Sequence, residues 1–191
     1  MKENCQENHI SLPEEFCERM KIRLGQDWEA FLEACSMPPK RGLRLNLQKL
    51  EANPEFPLED WKENWKLEEL IKESTREYLC DEEYLQSIGV QIGHDAYHEA
   101  GLYYIQDPSA MSVVPYMELR PFDRCLDLCA SPGGKSLQIA DRLKTEEGGI
   151  LLSNEFIMER AKNLSKNVER MGYSHVAVSS CSAEELEEQF P

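Results

Sequence analysis

The chain has 191 residues, 36 of them acidic and 21 basic, for a net charge of −15. That length admits one good-sized domain or two small ones, and so negative a balance excludes a general polyanion binder unless cations are gathered in one place. With no run of about eighteen apolar residues and no basic-then-apolar leader, neither a membrane span nor a secretory signal is expected, and the cytoplasm is the default. Seven cysteines, odd in number and without a C-x-x-C pair, point to reduced thiols rather than to disulfides or a zinc site.

Ser11-Leu12-Pro13-Glu14 has a capping-box pattern, and Phe16, Met20 and Leu24 follow at helical spacing up to Gly25, which predicts a core-facing helix. Asp27 is placed to cap a second helix with Trp28, Phe31, Leu32 and Cys35 on its apolar face, ended by Pro38-Pro39. Between 34 and 50 stand four cations, Lys40, Arg41, Arg44 and Lys49, and no carboxylate, whereas Asp81, Glu82, Glu83, Asp95 and Glu99 share a stretch without Lys or Arg. Leu43-Arg44-Leu45-Asn46-Leu47 alternates as a half-buried strand does. Trp61, Trp65, Leu67, Leu70 and Ile71 predict a further helix, interrupted by Glu68. The tryptophans, at helical spacing, are expected in the core rather than as base-stacking platforms.

Helices with a strand make residues 1–80 a small α+β domain, and the stretch 81–104, broken by Gly89, Gly93 and Gly101, reads as a connector. His94 and His98 stand at i, i+4 but outside any H-E-x-x-H pattern, and no metal is expected. A domain over 105–191 then starts at Gln106-Asp107-Pro108-Ser109, with Asp107 as cap and Pro108 at the first helical position. Ala110, Met111, Val113, Val114 and Met117 would pack on a sheet, with a stop or kink at Pro115. Residues 125–128 read as a buried strand, Pro132-Gly133-Gly134 as a tight turn, and 135–143 as a helix with Leu137, Ile139, Ala140 and Leu143 inward. The unit repeats as strand 150–153, helix 158–171, strand 175–178 and helix 183–189. Strands alternating with helices imply a parallel sheet with right-handed crossovers, an α/β fold.

Three nucleotide readings of the glycine turn can be weighed. A P-loop needs a glycine five positions before Gly134-Lys135-Ser136, where Cys129 stands, and so fails. The dinucleotide fingerprint G-x-G-x-x-G is absent, although an acidic residue follows about 20 positions on. The third reading rests on that acid: Gly149-Ile150-Leu151-Leu152-Ser153-Asn154-Glu155 is a strand ending in a carboxylate, which would lie beside Gly133-Gly134 and can accept both hydroxyls of a ribose. A turn without a phosphate cradle suits a nucleoside with a charged amino-acid tail, such as S-adenosylmethionine.

Asp127-Leu128-Cys129-Ala130-Ser131-Pro132-Gly133-Gly134-Lys135 closely resembles the cofactor motif of the RNA cytosine-C5 methyltransferases of the Nop/Sun type, within which the layout is most similar to the bacterial enzymes acting on ribosomal RNA. Gly101-Leu102-Tyr103-Tyr104-Ile105-Gln106-Asp107-Pro108-Ser109-Ala110-Met111 resembles the segment leading into that family's catalytic domain. Asn154-Glu155 with Arg160-Ala161-Lys162-Asn163-Leu164 resembles its ribose-binding strand end and next helix. Pro38-Pro39-Lys40-Arg41-Gly42-Leu43-Arg44-Leu45-Asn46 resembles its N-terminal Pro-Pro…Arg-x-Asn signature. The likeness runs from about Leu12 onward and is weakest between about Glu51 and Ala96.

The resemblance implies a Rossmann-like class I methyltransferase sheet, here its first three strands, behind the small α+β domain. It implies S-adenosylmethionine as cofactor, held by Cys129, Ala130, Ser131, Pro132, Gly133, Gly134, Lys135, Glu155 and Arg160. Ser182 stands where many relatives have an Asp that contacts the adenine, and the resemblance implies that it substitutes weakly in the cofactor site. Lys135 either holds the methionine carboxylate or caps the turn in solvent. Lys40, Arg41 and Arg44 would face RNA, of the ribosomal kind in view of the likeness to those enzymes. In the family a cysteine thiolate adds to cytosine C6 so that C5 can take the methyl, and that cysteine and its companion follow later strands. Both are expected beyond residue 191, on a C-terminal segment carrying the remaining strands, and Cys129 and Cys181 are not expected to replace them. Two other classes stay open: a non-catalytic RNA- or nucleoside-binding truncated paralogue, and an NAD-dependent oxidoreductase, against which Pro132-Gly133-Gly134 speaks.

Overall fold

A computed structural model of the chain describes residues 12–37, 40–70 and 77–189. Two compact units part between residues 39 and 40. The first carries α1 (Glu14–Leu24) and α2 (Trp28–Ser36). Gly25, at φ 53°, adopts a backbone that side chains resist, and α1 stops there as predicted. Asp27 makes no side-chain cap, because a 3-10 turn over Gly25–Asp27 runs directly into α2. Trp28 is buried, with its ring stacked on Phe31 at 5.8 Å between centroids. Ser11, Pro38, Pro39 and Ile71, invoked above as caps, stops and apolar face, lie outside the described residues.

The second unit opens with β1 (Arg41–Leu45), α3 (Leu47–Glu51), α4 (Leu58–Asn64), β2 (Glu68–Glu69), β3 (Glu77–Cys80), α5 (Glu82–Ser87), α6 (Ala96–Glu99) and β4 (Tyr103–Gln106). The strands pair antiparallel in the order β2-β3-β1-β4. β1 is not the half-buried strand that its alternation predicts. As a central strand it is covered on both faces: Leu43 and Leu45 meet Trp61, Trp65, Leu85 and Tyr103, while Gly42, Arg44 and Asn46 leave the opposite face. The helix predicted through Ile71 ends at Asn64. Trp65 closes it and Lys66 turns left-handed at φ 49°, so that Glu68, the residue breaking the apolar stripe, enters β2 in solvent. Trp61 and Trp65 pack together in the core at 4.7 Å between centroids. Residues 81–104 fold into two short helices because Asp81 accepts the Tyr84 N–H, and Asp95 those of Tyr97 and His98.

The chain continues through α7 (Pro108–Met111), capped by Asp107 as expected, then β5 (Arg124–Asp127), α8 (Gly134–Ala140), β6 (Ile150–Asn154), α9 (Met158–Met171), β7 (Val176–Ser179) and α10 (Ala183–Gln189). β5, β6 and β7 form a parallel sheet in that order. The core on one face joins Leu151 of β6 to Leu137, Ile139 and Ala140 of α8 and to Leu164, Val168 and Met171 of α9. The other face is less covered. Leu126, Leu152 and Ala177 are cross-strand neighbours there, with Leu126 54% exposed, Ala177 exposed and Leu152 half-buried. β5 is therefore not the buried strand its apolar run predicts: its outer edge has no partner among the described residues, whereas parallel sheets are normally covered on both faces. No helix among the described residues is long and apolar enough to cross a membrane.

Asn46 joins the antiparallel sheet to the helical layer. Fully buried, it donates from Nδ2 to the Gly101 carbonyl at 3.1 Å and to the Met171 carbonyl at the end of α9 at 2.7 Å, and its Oδ1 accepts the Lys49 N–H. Asn46→Ala leaves these buried groups unpaired and is expected to cost about 1–3 kcal/mol. Urea denaturation reads this as a lower midpoint at unchanged slope; a midpoint equal to the parent's would contradict it.

Candidate functional site

The parallel strands end where the glycine turn begins, and side chains from four elements hold that turn. Asp127, the last residue of β5, accepts the Cys129 N–H through Oδ1 and the Ser136 hydroxyl through Oδ2 at 2.7 Å, closing the loop between strand and helix. The peptide Ser131-Pro132 is cis and Gly133 has φ 114°. The carbonyls of residues 131, 132 and 134 are met from the protein side. Arg160 donates to the Ser131 carbonyl, Tyr104 and Asn167 to that of Pro132, and Arg44 to that of Gly134 at 2.9 Å. The Ala130 N–H donates to the Asn154 carbonyl at 2.9 Å, which fixes the turn against the end of β6.

Glu155 follows β6 immediately and is buried. Its Oε1 accepts the Ile157 N–H at 3.1 Å and its Oε2 lies 3.4 Å from Arg160 Nη2. Because the same Arg160 nitrogen donates to the Ser131 carbonyl, and Ser131 Oγ donates back to the Arg160 carbonyl, one side chain ties the carboxylate to the turn. Glu155, Arg160 and residues 130–134 are thus brought together, with Lys135 exposed on the first turn of α8. Cys129 is exposed and Cys181 half-buried.

Two of the expected site residues have partners within the chain. Ser182 and Glu185 cap α10 reciprocally: Ser182 N–H donates to Glu185 Oε2, and Ser182 Oγ accepts the Glu185 N–H. Arg44 cannot meet RNA as a surface cation, because it is 0% exposed on the inner face of β1. Burial pushes its guanidinium below the ordinary range, against the opposing pull of Tyr173, Asp141 and Glu77. Lys40 and Arg41 are on the surface, each paired with a carboxylate distant in sequence: Lys40 with Glu68 at 2.8 Å and Arg41 with Glu82 at 2.9 Å. The stretch that is free of carboxylates in sequence is not free of them in space.

Two further side chains support the candidate site. Asn154, buried at the end of β6, accepts from the Ser179 hydroxyl and the Cys181 N–H and donates to the Cys181 and Leu128 carbonyls, so one amide holds the loops after β5 and β7. Tyr104 stands between two guanidiniums, Arg44 at 5.7 Å and Arg170 at 5.8 Å from its ring centroid. Burial pushes its hydroxyl above the usual range while both cations pull it back. The readable signal was the polar pair Arg44 and Asn46 at alternate positions of an otherwise apolar strand.

Residues 12–108 match the N-terminal domain of 16S rRNA methyltransferase RsmF, and residues 114–190 match the family of 16S rRNA methyltransferases RsmB/F. Among curated proteins, the ribosomal RNA small subunit methyltransferase F of Vibrio campbellii is 31% identical over 176 residues, which cover 90% of this chain and 35% of that protein. That of Vibrio cholerae is 33% identical, with 90% of this chain and 36% of the relative covered. The chain spans about a third of the length of the curated relatives it matches. Among solved structures, NSun6 from Pyrococcus horikoshii with SFG superposes at a TM-score of 0.70 and 16% identity, covering 92% of this chain and 67% of that one. A methyltransferase homologue protein from the same organism superposes at 0.69 and 18% identity, covering 93% and 60%. These likenesses establish the Rossmann-like methyltransferase fold.

The turn itself is testable by side-chain insertion. Gly133→Ala places a methyl at φ 114° and 3.1 Å from Leu164 Cδ1, whereas Gly148, at φ 87°, has nothing within 4 Å of its added carbon. Both substitutions meet backbone strain of about 1–3 kcal/mol, and Gly133→Ala adds a clash with the core. Thermal unfolding should rank Gly133→Ala as the more damaging; equal losses would show that the turn has room to spare.

Proposed function

The chain belongs to the RsmB/F family of 16S rRNA methyltransferases, and from that premise we propose that it is the cofactor-holding, RNA-facing part of an S-adenosylmethionine-dependent enzyme that methylates ribosomal RNA at cytosine C5. One observation carries the reading. A buried carboxylate, Glu155, is tied by Arg160 to a glycine turn whose carbonyls at 131, 132 and 134 are met from the protein side. That suits a nucleoside approaching with its ribose hydroxyls toward the acid and its tail along the turn.

The cofactor, when bound, supplies the methyl group. Glu155 would accept from the ribose hydroxyls, Arg160 would keep that carboxylate in place, residues 129–134 would line the tail, and the exposed Lys135 would meet its carboxylate. Ser182 is left with a lesser part, since its hydroxyl already caps α10. A fingerprint for NAD is absent, and the family membership favours methyl transfer over hydride transfer.

The RNA-facing part is proposed for Lys40 and Arg41, where phosphates would replace the Glu68 and Glu82 carboxylates. A substrate of ribosomal RNA would place the protein in the cytoplasm. The division of labour proposed is residues 1–80 toward RNA and 105–191 toward the cofactor with 81–104 between; the family matches hand over between 108 and 114, so that 81–104 falls within the match to the N-terminal domain. Remaining strands of the sheet are proposed to pair with the outer edge of β5, and their crossover helices to cover the face of Leu126, Leu152 and Ala177. Neither cysteine near the turn suits the nucleophile: Cys129 matches a non-nucleophilic position of the motif, and the backbone of Cys181 is held on both sides by Asn154. The 191 residues by themselves are therefore proposed to bind cofactor without turnover.

Calorimetric titration tests the assignment. The chain should bind S-adenosylmethionine and not NAD, and Glu155→Ala should weaken the cofactor by about 1–3 kcal/mol by leaving polar groups unpaired. In parallel, labelled methyl transfer to unmodified ribosomal RNA should stay at background. Preference for NAD would overturn the cofactor, and turnover abolished by Cys129→Ser or Cys181→Ser would overturn the view of those cysteines.

A further inference from the structure

Arg44 and Tyr104 are direct cross-strand neighbours on β1 and β4, and Gln106 pairs with Gly42 one step along the same face. All three are buried, and all three converge on residues 132–134. Arg44 Nη1 donates to the Gly134 carbonyl at 2.9 Å and to Gln106 Oε1 at 3.2 Å. The Gln106 side chain lies so close to Gly134 that an added carbon there would stand 3.2 Å from its Cδ. Tyr104 donates its hydroxyl to the Pro132 carbonyl at 3.3 Å, with the Arg44 guanidinium 5.7 Å from its ring centroid.

A guanidinium is an expensive group to place here. Taking its charge out of water is unfavourable unless its donors are met, and Nε and Nη2 find no hydrogen-bond partner among the described residues. A leucine or methionine would fill similar space without that penalty. What only a long cation can do at this position is reach across from the antiparallel sheet to the Gly134 carbonyl while also holding Gln106 against Gly134.

We propose that Arg44 is a positioning residue for the cofactor turn: it fixes the backbone at residues 132–134 from the antiparallel sheet and thereby sets the affinity for S-adenosylmethionine. The inference rests on the cofactor reading above and adds a second control over it, exerted from the part of the chain that faces RNA. Arg44 touches neither cofactor nor substrate in this role; it acts through Gly134 and Gln106.

The test uses the 191-residue chain as parent, Arg44→Met, which keeps the length and removes the donors, and Arg44→Lys, which keeps the charge but loses the planar fork. Amide NMR spectra and S-adenosylmethionine titrations are recorded at a temperature where each protein is folded. In Arg44→Met the Gly133, Gly134 and Lys135 amide signals should move or broaden while those of β6 and β7 stay in place, and affinity should fall about 10-fold or more, the scale of one charge-assisted hydrogen bond. Arg44→Lys should lie between parent and Arg44→Met on both readouts. Parent-like turn signals and affinity in Arg44→Met would overturn the proposal, as would a lower melting temperature with affinity unmoved. Should Arg44→Met fail to fold, Arg44→Lys decides: shifted turn signals with several-fold weaker binding support the role, and parent values in both contradict it. If the parent binds no S-adenosylmethionine, the cofactor reading fails, and the turn signals of the variants still decide whether Arg44 positions the turn.

Discussion

Two polar side chains on one face of a single strand are what the rest of the second unit depends on. Arg44 and Asn46 leave β1 in the same direction, and each ends on backbone carbonyls of the helical layer, Arg44 at the first residue of α8 and Asn46 at the last residue of α9. Buried polar groups tolerate little displacement, because a hydrogen bond lost inside the protein is not replaced by water. The antiparallel sheet therefore meets the parallel one at a specified register, where two apolar surfaces alone could slide. Glycine makes the approach possible: a side-chain carbon on Gly101 would lie 2.1 Å from the Arg170 carbonyl.

What was legible in the sequence was what local rules govern. The strand, turn and helix around Gly133-Gly134 could be read because a glycine turn and an apolar stripe are short-range signals. The helices over Met158–Met171 and Ala183–Gln189 have the observed bounds for the same reason. The helix drawn through Trp65 to Ile71 failed where Lys66 takes a left-handed backbone, a conformation that composition does not announce. Ser182-Ala183-Glu184-Glu185 spells a capping box, another short-range signal, and that cap is formed in the structure.

The site was legible in its core and not in its support. Glu155 beside Gly133-Gly134 follows from a strand ending in an acid. The residues that hold the turn, Arg44, Tyr104, Gln106, Asn154 and Asn167, come from elements far apart in the chain, and no short-range pattern links them. Arg44 shows why charge counting misleads: a cation inside a basic stretch looks exposed until strand pairing decides which face it takes. Lys40 and Arg41 repeat the lesson in weaker form, since Glu68 and Glu82 neutralise them only once β1 and the elements after it have assembled.

The partly exposed row of Leu126, Leu152 and Ala177 and the unpaired edge of β5 among the described residues put the parallel sheet at a disadvantage that the junction through β1 must offset. If the junction does so, both sheets of the second unit open together. Native-state hydrogen exchange measures this directly, by comparing amides of β1 with amides of β6 in increasing denaturant. The account predicts that the slowest amides of both strands share one opening free energy and one denaturant slope. Exchange of the β6 amides through a separate opening, several kcal/mol below that of β1 and with its own slope, would contradict it.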